Sequence, residues 1–536
     1  MRWFEIFQIV LISTGLARAT QVPFASLRKP HLEIIQEANW GLDESPAINA
    51  TGNLIFETVS SLLQHWPNTR YRNGHTIVPG IIPPGTLLYH GTNKPYLPDT
   101  PEWVATDSEH AHIFCDGSEQ SGCWQITLAP TRPLRILYFD GTSASKMEDG
   151  PMDSQDVVTW GEPKPDWWFK ERERITDLCD WGKAYTLDGF VRMEMDFEVM
   201  LCDFTSGVKI ISALNLAVLP DDSNEQFSMF EAINAGKWHN RYPGEERVQL
   251  DLTRLVSFYD IGILPSLVRQ RAEQERWDHR IFGADAADLM AFRRHLENTL
   301  TSQQQGSGAD WKTLFRTIIK RYADKLELIQ YLLNDTDTQS TLSKEGKRRA
   351  AKIQLQLRTM LTPYILHSSI PLHLSSSGVA RHWAEPIFME CATAHTSPFV
   401  SEFMATFTSS EALLLKAVQE TVREICRVTT RMWAEGVEIG LDPYLPVDVA
   451  NQNTTAVIEK WKADLNALIL WLDWSVWVKC RPACVFEEIC YLPTWPIGFR
   501  HRRRPGAPQW PNPPEDNDDW KRPQPRCIRR LEPFGI

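Results

Sequence analysis

Three places along the chain carry side chains whose types and spacing suit chemistry. The run Leu87-Leu88-Tyr89-His90 reads as a strand ending in Gly91-Thr92. A histidine at a strand end followed by glycine exposes an imidazole and lets a ligand come close to the backbone. The second place is Met193 to Asp203, which reads as one strand, so that period-two alternation puts Glu194, Asp196 and Glu198 on one face. Carboxylates at adjacent same-face positions stand about 7 Å apart, which admits paired-acid work on a glycosidic bond. The third place is His110, His112 and Cys115. Ser108 to Phe114 reads as a short helix capped by Asp107 or Ser108. Histidines two residues apart do not share a helix face, so no zinc pair is expected there.

These groups need elements to hold them. Between Pro79 and Leu219 short runs of β-branched and aromatic residues alternate with Gly, Pro and Asp clusters, the texture of a β-rich domain: Glu102 to Thr106, Gly122 to Leu128, Arg132 to Phe139 and Phe197 to Cys202 join the strand at His90. Before it, from Pro30 to Trp66, apolar residues recur at three- and four-residue steps, a helical lead-in. After Pro220 the helical period returns in Trp311 to Leu333, Lys344 to Leu361, Ser410 to Trp433 and Thr455 to Val478. Glu171-Arg172-Glu173-Arg174 reads as an exposed helix face, and Trp471, Trp474 and Trp477 as core at helical spacing. The expected organisation is a leader over 1–19, a helical lead-in over 20–78, a β-rich domain over 79–220, a helical domain over 221–495 and a Pro/Arg-rich tail over 496–536.

The chain has 536 residues, 43% of them apolar and 23% charged, with 56 Lys plus Arg against 68 Asp plus Glu, a net charge of −12. Such a chain has ample core-forming material, and its charge argues against a surface built for nucleic acid. Met1-Arg2, an apolar run to Leu16 and Ala17-Arg18-Ala19 read as a signal peptide with a small-x-small cleavage site. Asn49, Asn334 and Asn453 begin glycosylation triplets, and the ten cysteines are expected as disulfides, including Cys115 and the group Cys480, Cys484, Cys490 and Cys527, whose spacing is not that of a zinc module. The apolar stretch Ala467 to Val478 is too short to span a membrane, so a secreted protein without a stable membrane span is expected.

In order, the blocks LLYHGT, PEWVATDSEHAHIFC, GCWQITLAPTRPLRILYFD and FEVMLCDFTSGVKIISAL resemble the catalytic core of the ADP-ribosyltransferase superfamily, in particular its histidine-tyrosine-glutamate, poly(ADP-ribose) polymerase-like branch. The match covers roughly residues 86 to 216, about a quarter of the chain, and suggests a divergent secreted member of fungal type. The fold class the resemblance implies is α+β, a split antiparallel β-sheet core between the helical lead-in and the mostly α-helical C-terminal half.

The resemblance also implies site roles. His90 would hydrogen-bond the adenosine ribose of NAD, and Gly91 would offer its backbone to the nicotinamide carboxamide. Trp103 falls where the family has its motif tyrosine, keeping an aromatic face but losing the phenolic oxygen. Phe114 falls where a second aromatic stacks on nicotinamide, Glu198 takes the place of the catalytic glutamate, and Asp196 resembles an acceptor-binding group. Arg192 and Glu194 stand as rim residues. The expected activity is cleavage of NAD, as substrate and without a metal, with transfer of ADP-ribose to a protein side chain or to water and release of nicotinamide. The alternative is a secreted interaction protein that keeps this fold without catalysis. A polysaccharide-acting enzyme built on Asp196 and Glu198 is a third, remoter reading.

Overall fold

A computed structural model describes residues 39–115, 122–216, 229–272, 274–334, 344–371, 381–445, 454–494 and 519–530. The expected leader, the glycosylation triplet at Asn453 and much of the tail lie outside the described residues.

Two helices, Gly52–Ser61 and His65–Thr69, lead into the sheet. Its strands are β1 (Thr76–Ile82), β2 (Leu88–Thr92), β3 (Glu102–Ala105), β4 (Trp124–Pro130), β5 (Leu134–Phe139), β6 (Gly189–Met193), β7 (Phe197–Leu201), β8 (Val208–Asn215), β9 (Gln249–Leu250) and β10 (Val256–Ser257). They lie in the order β10-β1-β5-β6-β7-β3-β2-β4-β8, with β9 also on β1, as a curled half-barrel. Every pairing is antiparallel except β5 with β6. A parallel pair needs a long crossover, here supplied by helices Asp153–Trp160 and Glu171–Lys183. The sheet thus draws β9 and β10 from beyond residue 220.

One strand expectation is corrected. Residues 193–203 are not a single strand: the chain reverses at Glu194–Asp196, and β6 and β7 form a hairpin with Met193 opposite Phe197 and Arg192 opposite Glu198. The apolar alternation Met193, Met195, Phe197 runs through the turn, and no glycine or Asn-Gly pair marks it, so periodicity alone reads straight on.

Each face of the sheet carries its own core. On one, Leu88, Val104, Val191 and Val199 join a cluster that continues without a break into the helical half through Phe56, Phe315, Trp433 and Trp461. There the helix Ser409–Glu438 is central, begun by a capping box in which Thr408 Oγ1 accepts from the Glu411 N–H at 3.1 Å and Glu411 Oε2 from the Thr408 N–H at 3.0 Å. On the other face Leu137, Phe139, Phe190 and Met200 pack against helices 153–160, 171–183 and Ala286–Thr301. The cysteines pair as 115–123, 179–202, 391–426, 480–490 and 484–527. Strands β11 (Glu488–Tyr491) and β12 (Arg526–Arg529) form a separate ribbon held by two of these pairs. Among the described residues no helix is long and apolar enough to cross a membrane.

Candidate functional site

Strands β2 and β3 share a single backbone pairing, Tyr89 with Ala105, and part beyond it. The His90 side chain crosses this seam: its Nδ1–H donates to the Trp103 carbonyl at 2.9 Å, where a backbone N–H would otherwise stand. That bond selects the tautomer and leaves Nε2 as an acceptor, while burial lowers the pKa and keeps the ring neutral. The imidazole packs 5.7 Å from the Phe204 ring, on the face it shares with Leu88. Alternation puts Glu198, paired with Ala105, on the other face, so the two side chains approach the seam from different sides.

The short helix Ser108–His112 closes over β2. A Cβ on Gly91 would come within 1.8 Å of the Ala111 carbonyl oxygen, so only glycine permits this approach. Beyond the helix, Phe114 meets Trp103 edge to face with centroids 5.7 Å apart, and His110 lies 5.5 Å from Phe114. The Cys115–Cys123 and Cys179–Cys202 pairs fasten this helix to β4 and the end of β7 to helix 171–183.

Glu198, on the same sheet face as Trp103, is 1% exposed. Arg192 Nη2 stands 3.4 Å from its Oε2 and His110 Nε2 3.6 Å from its Oε1, the latter a polar contact beyond hydrogen-bond length. Arg192 is itself fixed by Glu171 and, through Nη1, by Gln155 Oε1 at 3.2 Å. Glu171 and Arg174 are therefore buried, not on an exposed face as the charge alternation of 171–174 reads; only Arg172 and Glu173 face solvent. Lys146 lies over Trp103, 5.5 Å from the ring centroid. Burial acts to raise the Glu198 pKa, but His110, Lys146 and Arg192 outweigh it and hold the carboxyl at about 2. Neighbouring Glu194 goes the other way, raised to about 8 by burial and the Glu198 charge against the pull of Lys146. Two acids whose environments push their pKa values apart are the usual mark of divided acid and base roles.

Of the residues read from the sequence, Gly91, Trp103, Phe114 and Glu198 thus gather around the helix 108–112; His90, expected with them, holds the Trp103 carbonyl but turns its ring to the opposite face, against Phe204. Asp196 does not join them. Lying in the hairpin turn rather than on the strand, it faces Asp107 and His239. Asp107, expected as a helix cap, makes no capping bond; its carboxylate takes His239 Nε2 at 2.6 Å and Arg247 at 3.0 Å. Sequence reading missed the parts played by His110, Lys146 and Glu171. The hairpin, once seen, would have put Arg192 opposite Glu198, but nothing local marks Lys146.

Residues 47–127 and 117–224 match a family model described as the YPL277C N-terminal domain, so the class to which the sheet and its site are similar is that of a yeast protein's N-terminal domain. At the level of particular proteins, the chain is 23% identical to the uncharacterized protein YOR389W of Saccharomyces cerevisiae over 83% of this chain and 82% of that one. It is 25% identical to the uncharacterized protein YPL277C of the same yeast over 52% of this chain and 75% of that one. No solved structure matches the chain.

Proposed function

We propose that the protein binds NAD at the β2–β3 seam, cleaves the bond between nicotinamide and ribose, and passes ADP-ribose to a protein side chain or to water. The observation that carries this reading is Glu198, a buried carboxylate held by Arg192 and met by His110, which in turn packs on Phe114 beside Trp103. Loss of nicotinamide develops oxocarbenium-like charge on the ribose carbon, and a fixed carboxylate beside it stabilises that charge. Trp103 and Phe114 would take the nicotinamide ring between them, while His90, on the opposite face of the sheet from Glu198, lies outside this pocket. With their centroids 5.7 Å apart and their edges in contact, the rings must first part, since a flat guest between two faces needs about 7 Å. The secretory route fits the apolar leader, the five cysteine pairs and the exposed Asn49 of its Asn-Ala-Thr triplet.

The second reading, an interaction protein with this architecture and no turnover, is favoured by the same closed rings and by the near-complete burial of Glu198. Nicotinamide release from NAD by the full chain and by Glu198→Gln separates them. Release that falls about 10²–10³-fold in the variant is expected. Equal release by both removes Glu198 from the mechanism, and no release together with no heat of NAD binding supports the interaction protein.

A further inference from the structure

A second polar cluster lies on the far side of the β6–β7 turn. Asp107 follows β3, Asp196 precedes β7, and His239 comes from the single-turn helix Lys237–Asn240. One ligand atom from each lies within 4.8 Å of the others. His239 Nε2 is 2.6 Å from Asp107 Oδ2, 3.7 Å from Asp196 Oδ1 and 3.6 Å from Glu245 Oε2. Arg247 pairs with Asp107 and Glu245 and stacks over Trp238. Asp196 is 1% exposed, and its Oδ2 has no hydrogen-bond partner, an expensive condition for a buried carboxylate oxygen. The residue facing that oxygen is Gly236, where a Cβ would approach to 2.7 Å, so glycine keeps the space beside it open.

We propose that Asp107, Asp196 and His239 bind one first-row divalent cation of the zinc type. One imidazole nitrogen and two carboxylate oxygens on three different elements form a donor set suited to such ions, and three protein ligands leave a position for water. Charge agrees in sign: among the described residues Asp107, Asp196 and Glu245 crowd three acids around one guanidinium, Arg247, so a cation relieves their mutual repulsion. The spacing of the three residues, 89 and 43 positions apart along the chain, hides the site from any reading of local motifs, which is why no metal was expected from the sequence. The proposal does not rest on NAD chemistry.

The experiment is calorimetric titration of the chelator-treated full chain with zinc chloride, followed by cobalt chloride with visible absorption as the readout of coordination. One equivalent bound, a raised melting temperature and ligand-field bands in the cobalt protein are expected. Asp196→Asn and His239→Gln are expected to weaken binding at least about 100-fold while keeping the far-ultraviolet circular dichroism of the parent. Absence of a stoichiometric site in the parent chain overturns the proposal whatever the variants do. Binding that folded variants retain in full overturns it too, since the ion then sits elsewhere. A Glu198→Gln chain that keeps the ion while losing nicotinamide release separates the two sites.

Discussion

Glu198 and Asp196 stand two residues apart, and both are buried acids, yet they meet opposite surroundings. Glu198 looks onto Arg192 and Lys146, and its charge is welcomed. Asp196 looks onto Asp107 and Glu245, and burial together with those acids raises its pKa well above the usual carboxylate range. One turn of the hairpin thus divides a cluster in which cations outweigh the cost of burying Glu198 from one in which three acids, Asp107, Asp196 and Glu245, crowd around Arg247. Proximity in sequence says little about electrostatic role; the partner elements decide it.

The comparison can be broken most directly at Arg192. Arg192→Ala leaves Glu198 and Glu171 buried without their shared cation, and a loss of about 3–5 kcal/mol in unfolding free energy is expected by denaturant titration. A loss under about 1 kcal/mol would mean that Lys146 and His110 balance Glu198 by themselves. The next effect is Gly91→Ala, which drives a methyl into the Ala111 carbonyl and should cost about 1–3 kcal/mol while displacing the helix that carries His110. An unchanged melting temperature would show that this helix is loosely held.

A further effect is in pH, and its sign differs for the two acids of the hairpin. Glu194, raised to about 8, contributes stability that is complete below its ordinary value near 4.5 and is lost as pH climbs through 8. Glu198, held at about 2, contributes stability present above 4.5 and lost as pH falls through 2. Thermal melts from pH 5 to 9 should therefore decline toward the alkaline end in the parent and flatten in Glu194→Gln. If turnover needs Glu194 protonated, nicotinamide release should also fall tenfold per pH unit above about 8, equivalent to 1.36 kcal/mol per unit. A flat alkaline limb in the parent would remove Glu194 from the reaction.

Much of this architecture is legible in the sequence, for identifiable reasons. The long helices at 311–334, 344–361 and 409–438 have apolar stripes with the right period and, for the last, a Thr408/Glu411 box at its start. The strands at 88–92, 102–105 and 134–139 are rich in branched and aromatic residues between turn formers. What stayed hidden depends on distance in space. The turn at 194–196 lacks turn residues, so the acids seemed to share a face. The burial of Glu171 follows from Arg192 of β6 meeting it on the face where helix 171–183 packs, 21 residues away along the chain. The gathering of Asp107, Asp196 and His239 needs three elements to close on one point.

The uninterrupted packing between the sheet and the helical half has a practical consequence. Leu88, Val104 and Val199 are covered by the lead-in and C-terminal helices. A truncated chain spanning only residues 79–220 would turn that oily side toward water and should precipitate or cling to chaperones, even with Glu198 and both aromatic rings intact. A test of NAD binding or cleavage therefore calls for the whole polypeptide, because the segment that carries Glu198 has no solvent-ready surface of its own on one side.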